Sequence, residues 1–277
     1  MKESLHFPTH SPYVHTVKIK LTALLVCVCV LLVGAFIYLP GVVSVSSSVN
    51  GRDLPIYCVK TDKPQIALTF DAAWGNEDTK QILSILEKHN VKATIFMTGG
   101  WVESYPDDVK AILAAGHDIG NHSENHKNMS QLSTDQMRSE IMEVHERVKN
   151  LTGYEMALFR PPYSDYSNEV IQTATSLGYY SIQWDVDSLD WKDYGADSIV
   201  DTVCNHKHLG NGSIILCHNG AKYTAQALDT LISTLEGKGY EFVKVSDLIY
   251  KENYTMDVEG RQIPSAGSKA GPTMNRN

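Results

Sequence analysis

The stretch QIALTFDAAWG, residues 65–75, decides the fold. Its first half is a short apolar run after Pro64, which is typical of a buried strand bounded by turns. The predicted strand covers residues 65–70 and ends at Asp71, before small residues and a helical pattern. In parallel α/β folds the carboxyl ends of the strands carry the chemistry, so Asp71 becomes a candidate functional residue.

Side chains alternate between the two faces of a strand, which predicts the environment of this segment. Asp71 shares a face with Thr69 and Ala67, whereas the other face carries Ile66, Leu68 and Phe70 toward covering helices. Taken alone, the stretch also fits an aspartate that caps a helix in a loop.

Strand-like and helix-like segments alternate along the rest of the chain. Further strands are predicted at residues 92–98, 117–121, 157–160, 179–184, 213–217 and 241–245. Helices are predicted at residues 76–90, 106–115, 133–151, 168–177, 196–205, 224–236 and 247–250. Asn76 is a candidate N-cap, and Ser133 with Gln136 forms a capping box. This alternation predicts an α/β fold with a parallel sheet, either open or closed into a barrel.

The N-terminal region predicts a membrane anchor. Residues 1–20 are polar and carry lysines, and residues 21–39 are an uncharged apolar run. About 20 such residues span a bilayer, and the preceding lysines place the N-terminus in the cytoplasm. A cleaved signal peptide, with a weak site at residues 44–46, is the alternative and would give a secreted protein.

The domain organisation follows from this reading. We expect a cytoplasmic tail at 1–20, a single transmembrane helix at 21–39 and a stalk at 40–63. One catalytic domain follows at 64–250, outside the cytoplasm, and residues 251–277 form a flexible tail. A domain of roughly 200 residues is large enough for a full core.

Composition excludes some classes of function. The net charge is −8, and no basic block occurs beyond the N-terminal lysines, so nucleic-acid binding has no electrostatic support. Of five cysteines, Cys58, Cys204 and Cys217 lie outside the apolar run, and no CxxC occurs. The spacing therefore indicates neither a disulfide framework nor a zinc–thiolate site, and nothing indicates an oligomeric state.

Chemically capable side chains follow successive predicted strands at the same end. In chain order they are Asp71, His122, His126, Arg160, Asp187, Asp190, Trp191 and His218. Because the carboxyl ends of parallel strands meet at one edge of a sheet, we expect these side chains to converge.

Two of these side chains suggest a metal site. His122 and His126 are four residues apart, so on a helical turn both imidazoles would face one cation. Asp71 is the nearest carboxylate that could complete the ligand set. A chance histidine pair on a surface loop is the alternative.

Proton transfer and charge pairing have candidates as well. His218 ends a strand, where Asp187 or Asp190 could orient it as a general acid, although a structural histidine is the alternative. Arg160 is held extended by the following proline and could pair with Asp71 to keep it ionised. An ordinary surface salt bridge is the alternative for Arg160.

Five ordered motifs resemble the polysaccharide deacetylases of the NodB-homology type, carbohydrate esterase family 4. TFDAAWG is similar to TFDDG, NHSENH contains HSxxH, RPPYS is similar to RPPYG, DSLDW matches DxxDW, and LCH matches LxH. The resemblance covers residues from about 64 to 250, and the TFDAAWG form resembles deacetylases of spore-forming bacteria. It implies a distorted (β/α) barrel of about seven parallel strands.

The resemblance also implies roles. Asp71 would be the general base, Arg160 would orient it, and Asp190 would tune His218 as the general acid. His122 and His126 would bind a divalent metal, zinc by preference, with cobalt or nickel as alternatives. The substrate-binding set comprises the backbone N–H of Tyr163, which would hold the oxyanion, and Trp191 and Leu216, which would line the acetyl-methyl pocket.

One departure divides the functional hypotheses. The family's second aspartate, a metal ligand, is Ala72 here, and we expect it to leave a coordination vacancy just beyond the strand. The first hypothesis is a membrane-tethered N-deacetylase of cell-wall glycan, either peptidoglycan or a chitin-like polymer. The second is a non-catalytic glycan-binding or structural wall protein on the same scaffold.

Overall fold

The computed structural model describes residues 45–46 and 48–265. Its main sheet consists of the strands β5 (Gln65–Ala72), β6 (Thr94–Met97), β7 (Asp118–Asn121), β8 (Leu158–Phe159), β9 (Tyr180–Ser181), β10 (Val186–Asp187), β11 (Ile214–His218) and β12 (Glu241–Phe242). The sheet is entirely parallel and has the strand order β10-β11-β5-β6-β7-β8-β9, with β12 also pairing with β5. The predicted α/β fold with a parallel sheet is confirmed.

Helices accompany this sheet, and all but the last pack on its outer face; Val245 and Leu248 of the last helix lie in the apolar cluster of the inner face. The helices are α1 (Thr79–Lys88), α2 (Gly99–Ser104), α3 (Pro106–Ala114), α4 (Thr134–Thr152), α5 (Asn168–Ser176), α6 (Ala196–Cys204), α7 (Thr224–Gly237) and α8 (Val245–Leu248). The predicted capping box at the start of α4 is present, since Ser133 and Gln136 satisfy each other's backbone N–H groups.

The alternation predicted for β5 is confirmed. Ile66, Leu68 and Phe70 are buried in the apolar cluster that the helices share with the sheet. Ala67 belongs instead to a second cluster, with Phe96 and other side chains of the inner face. β5 lies between β11 and β6, so the residue at its carboxyl end reaches the centre of the sheet.

A segment before β5 connects the edge strand β9 with β11, the strand next to the other edge. The N–H of Ile56 donates to Ser181 O at 2.8 Å, and the N–H of Gln183 donates to Ile56 O at 2.7 Å. Two residues later, Cys58 bridges to Ser213, next to β11. The segment therefore runs from β9 to β11, and the parallel strands form a half-barrel.

The regions predicted as a stalk and a flexible tail contribute short strands. Four of them are β1 (Val45–Ser46), β4 (Cys58–Val59), β13 (Tyr254–Met256) and β14 (Arg261–Pro264), while β2 (Ser48–Val49) pairs with β3 (Arg52–Asp53). The four form a sheet of order β1-β13-β14-β4, which joins residues from both regions. Residues 254–256 and 261–264 of the predicted flexible tail form strands that were not predicted, because each strand is too short to show a period-two pattern.

Two local predictions near the site also need correction. Helix α1 begins at Thr79 after Asp78, and the predicted cap Asn76 instead donates from Nδ2 to Asp108 at 2.6 Å. The helix α2 was not predicted; it begins because Thr98 accepts the N–H of Trp101 as an N-cap.

The predicted anchor at residues 21–39 lies outside the described residues, as do residues 1–20. Among the residues that are described, no helix has the length and apolar character needed to cross a membrane.

Candidate active site

The strand ends bring the predicted polar residues to one place. Asp71 on β5 is in register with His218 on the neighbouring strand β11. His122 follows β7 directly, Arg160 follows β8, and Asp190 follows β10. Asp71, His122, Arg160 and Asp190 are all buried.

Asp71 forms a buried ion pair with Arg160. Arg160 Nη1 lies 2.7 Å from Asp71 Oδ1 and also donates to Thr69 Oγ1 at 3.0 Å. Burial is the largest single influence on the pKa of Asp71, and it raises this pKa because it opposes ionisation. The charge of Arg160, aided by His122 and His218, outweighs it and holds the pKa of Asp71 below its usual value. The carboxylate is therefore ionised at neutral pH.

The guanidinium of Arg160 is fixed by aromatic neighbours that sequence patterns did not reveal. It lies 4.1 Å from the ring centroid of Phe96 and 5.4 Å from that of Trp184. Gly120 makes room for this arrangement, because a Cβ there would come within 2.3 Å of the Phe96 ring. Planar stacking and hydrogen bonds together hold Arg160 in one orientation.

His122 is held in a defined tautomer. Its Nδ1 donates to the backbone carbonyl of Arg160 at 2.7 Å, so Nε2 carries the lone pair, 3.5 Å from Asp71 Oδ2. Burial lowers the pKa of His122, and it lowers the pKa of His126 to about 4. Both imidazoles are neutral at neutral pH, which is the form that binds metals.

The two imidazoles meet through a turn and not through a helix. Their ring centroids are 4.9 Å apart. The backbone between them passes through the left-handed region at Ser123 (φ 66°) and reaches it again at His126 (φ 52°). The predicted helical turn is wrong, although the predicted proximity of the pair is present.

The donor set suits a divalent metal only in part. Within the described residues, no group of three or more His, Cys, Asp or Glu side chains is arranged to hold a metal ion. The hydrogen bond from His122 Nδ1 to a carbonyl is nevertheless the support that metal-ligating histidines usually have. The residues therefore fit a metal held by His122 and His126, with its other positions open to water or substrate.

Ala72 occupies a different place from the one the sequence suggested. It is the last residue of β5, paired with Met97, and its fully buried methyl lies in the helix-side apolar cluster. The expectation that it lies beyond the strand is wrong, whereas its expected place beside the histidines stays a prediction. The alternation that turns Asp71 inward turns Ala72 away from it.

Asp190 orients His218, and Asp187, the other carboxylate suggested by the sequence, does not. His218 Nδ1 lies 2.7 Å from Asp190 Oδ1, and Asp190 Oδ2 accepts the backbone N–H of His218 and the hydroxyl of Thr224. Asp187 instead accepts the N–H of Leu189. Burial is the largest single influence on the pKa of His218, and it lowers this pKa because it disfavours the imidazolium. The hydrogen bond to Asp190 and the charge of Asp190 outweigh burial, so the pKa of His218 is raised above its usual value. Its Nε2 remains available to donate a proton.

The predicted substrate-binding residues lie in two environments. Tyr163 and Trp191 are exposed, whereas Leu216 is buried, in register with Thr69. Tyr163 has a left-handed backbone (φ 58°), and its ring meets that of His126 edge-on, with centroids 4.5 Å apart. Such a conformation in a tyrosine is strained, and strain of this kind clusters at functional sites.

Glu140 on α4 holds the loop that carries His126. Its carboxylate accepts the backbone N–H of Asn125 at 2.7 Å and the side-chain amide of Asn125 at 2.9 Å. Lys127 lies 2.8 Å from the same group. Sequence patterns did not reveal this role, because a glutamate within a helix is normally read as solvent-facing.

Replacing Glu140 with alanine is therefore expected to lower the free energy of unfolding by about 2 kcal/mol, since a buried, charged acceptor is lost together with its hydrogen bonds to Asn125. Chemical denaturation measures this change. Glu143→Ala, at an exposed position of the same helix, is the control and should change it by less than about 0.5 kcal/mol. Equal effects of the two substitutions would contradict the role given to Glu140.

Comparison with known proteins agrees with the fold. A family model described as polysaccharide deacetylase matches residues 59–182. A peptidoglycan-N-acetylglucosamine deacetylase of Bacillus cereus is 38% identical over 194 residues, which cover 68% of this chain and 69% of that protein. The chain belongs to the polysaccharide deacetylase family.

Other relatives show the range of this family. A peptidoglycan-N-acetylmuramic acid deacetylase of Bacillus subtilis is 34% identical over 200 residues, covering 71% of this chain and 75% of that protein. The crystal structure of a CE4 family pseudoenzyme from Bacillus anthracis matches with a TM-score of 0.67 and 36% identity, covering 70% of this chain and 68% of that chain. A mutant of that pseudoenzyme with restored enzymatic activity matches with the same TM-score and identity, covering 70% of each chain.

Proposed function

We propose that this protein hydrolyses N-acetyl groups from amino sugars of cell-wall glycan, with peptidoglycan as the preferred substrate class. One observation carries the proposal: Asp71 and His218 are in register on adjacent strands, each with its own charged partner. An ionised carboxylate and a protonated imidazole side by side are what amide hydrolysis needs.

Asp71 is suited to the first half of the reaction. Held ionised by Arg160, it accepts a proton from the water that attacks the amide carbon. The backbone N–H of Tyr163 donates to the oxyanion that develops on the former carbonyl oxygen. Leu216 and Trp191 enclose the acetyl methyl group.

His218 is suited to the second half. With Nδ1 bound to Asp190, its Nε2 donates a proton to the sugar nitrogen as the carbon–nitrogen bond breaks. Acetate and a free amine leave, and the proton taken by Asp71 balances the one given by His218.

His122 and His126 would hold a divalent metal, which would polarise the amide carbonyl when bound. Zinc suits two imidazoles, and cobalt and nickel suit them as well. Their neutral state and the fixed tautomer of His122 support this assignment.

Substituting alanine for either His122 or His126 is expected to abolish zinc retention, because a single imidazole does not hold the ion. Zinc content after dialysis measures the effect. His206→Ala, which removes a histidine far along the sequence from this loop, is the control and should retain wild-type zinc. Unchanged zinc content in the His122 or His126 variant would show that the pair is structural.

A non-catalytic glycan-binding or structural wall protein is the second candidate. Two observations favour it: Ala72 stands where the family has a ligand, and one similar structure is that of a pseudoenzyme. A protein that only binds glycan has no need of the paired Asp71 and His218, so we favour catalysis.

Acetate release separates the two candidates. The purified protein is incubated with peptidoglycan and with N-acetylglucosamine oligomers, with zinc, cobalt or nickel added. The deacetylase should release acetate from at least one glycan, whereas no release with any metal would favour the binding protein.

The raised pKa of His218 predicts the pH dependence of kcat. The acid works only while protonated, so kcat falls as pH rises through this pKa. Asp190→Asn removes the group that raises the pKa and should move the alkaline fall of kcat to lower pH. Asp193→Asn removes an exposed carboxylate three residues away and should leave the alkaline fall of kcat at the same pH. If kcat of Asp190→Asn falls at the same alkaline pH as that of the wild type, the assignment of His218 as the acid is contradicted.

We also propose that residues 21–39 tether the protein to the cell membrane with residues 64–250 outside. The charge pattern before the apolar run supports this topology. Sequencing the N-terminus of the mature protein tests it: a chain that starts near Ser47 would mean cleavage and secretion.

A further inference from the structure

Trp74, in the stretch that forms the central strand, has an exposed ring beside the proposed acid. Its indole lies nearly parallel to the His218 imidazole, with ring centroids 5.7 Å apart and an angle of 21° between the planes. The side chain is 47% exposed. Trp74 is therefore neither a core residue nor part of the proton-transfer pairs.

The loop that carries Trp74 is fixed by hydrogen bonds to its backbone and to the neighbouring loop. Asn219, directly after His218, donates from its backbone to Asp71 O at 3.0 Å and from Nδ2 to Gly75 O at 3.3 Å. The buried indole N–H of Trp101 also donates to Gly75 O, at 2.7 Å. On the other side of the loop, Asp78 accepts the N–H of Gly220 at 2.9 Å.

Gly220 lets the two loops approach closely. A Cβ at this position would lie 2.6 Å from Trp74 O and 3.2 Å from Trp74 Cδ1. Gly220 also has a φ of 88°, which a larger residue would adopt only with strain. The indole is thus held in place by its surroundings and is not exposed through loose packing.

A rigid indole that remains half in water is preorganised for an apolar partner. A pyranose ring has such a partner surface, since its axial C–H bonds form an apolar face. The indole lies beside the His218 ring, so a sugar whose nitrogen meets His218 Nε2 comes next to the indole.

We propose that Trp74 is a substrate-binding residue whose indole stacks on a pyranose ring of the glycan beside His218. This inference rests on the proposed function for the identity of the ligand, an amino-sugar polymer. It predicts that Trp74 acts mainly on binding, with little effect on proton transfer.

The test uses the glucosamine tetramer, a deacetylated product that the protein cannot consume, with binding measured by calorimetry. Trp74→Ala should raise the Kd about tenfold, which corresponds to the loss of one good stacking contact. Trp74→Phe should recover most of the affinity. Tyr194→Ala removes another exposed ring, which lies near Lys192, and should leave the Kd within about twofold of wild type.

Kinetics with an N-acetylated oligomer complete the test, with KM expected to rise in Trp74→Ala and kcat to stay within a few-fold. An unchanged Kd in Trp74→Ala, or no binding of the tetramer by the wild type, would overturn the inference. A large fall in kcat with unchanged Kd would also overturn it, because Trp74 would then support His218 and not the sugar. If the Kd changes as expected but no glycan releases acetate, the inference stands and the proposed deacetylase function fails.

Discussion

Replacing Asp71 with asparagine is expected to lower kcat by about 10²-fold or more, the range typical of one acid–base group. Asparagine keeps the size of the side chain but accepts no proton from the attacking water. Because Arg160 holds Asp71 ionised, the wild-type carboxylate is ready as a base at neutral pH. Acetate release at saturating substrate measures the effect.

Asp193→Asn is a matched control for this substitution. Asp193 is exposed on a nearby loop and has a left-handed backbone (φ 55°), which asparagine tolerates well. This variant loses the same charge and should keep kcat within a few-fold of wild type. Near-wild-type turnover in Asp71→Asn would reject Asp71 as the base.

The second large effect concerns stability. Arg160→Met is expected to lower the free energy of unfolding by about 3–5 kcal/mol, because it leaves the buried Asp71 carboxylate without its partner. The same change removes the hydrogen bond to Thr69 and the contact with Phe96. Chemical denaturation at neutral pH measures this loss.

A double variant separates the charge effect from lost packing. Asp71→Asn combined with Arg160→Met removes both charges, so it should be more stable than Arg160→Met alone. If the losses of the two single variants instead add, the double variant is less stable than either single variant. In that case the unpaired charge does not explain the loss of stability in Arg160→Met.

The sequence predicted those parts of the fold that depend on local pattern. The alternation in residues 65–70 placed Asp71 inward, and the succession of strands and helices placed the polar residues at one end. The strands of residues 254–256 and 261–264 were not predictable in this way, because they are short and pair with each other and with residues near the other end of the described chain.

The candidate site was predictable in its members but not in its geometry. The spacing of His122 and His126 indicated a pair, yet left-handed residues, and not a helical turn, bring the rings together. Glu140 and Trp74 act through contacts between distant segments, which no spacing rule encodes. Ala72 was misplaced because the strand continues two residues beyond Phe70, where the apolar run ends.

The central claim is that the paired Asp71 and His218 make this protein an enzyme although Ala72 supplies no ligand. Mass spectrometry of muropeptides, after treatment of peptidoglycan with the zinc-supplemented protein, tests it most directly. The account predicts muropeptides that carry a free amine on an amino sugar, formed by the wild type and not by Asp71→Asn. Fully acetylated muropeptides after treatment with the wild type, under every metal, would contradict it.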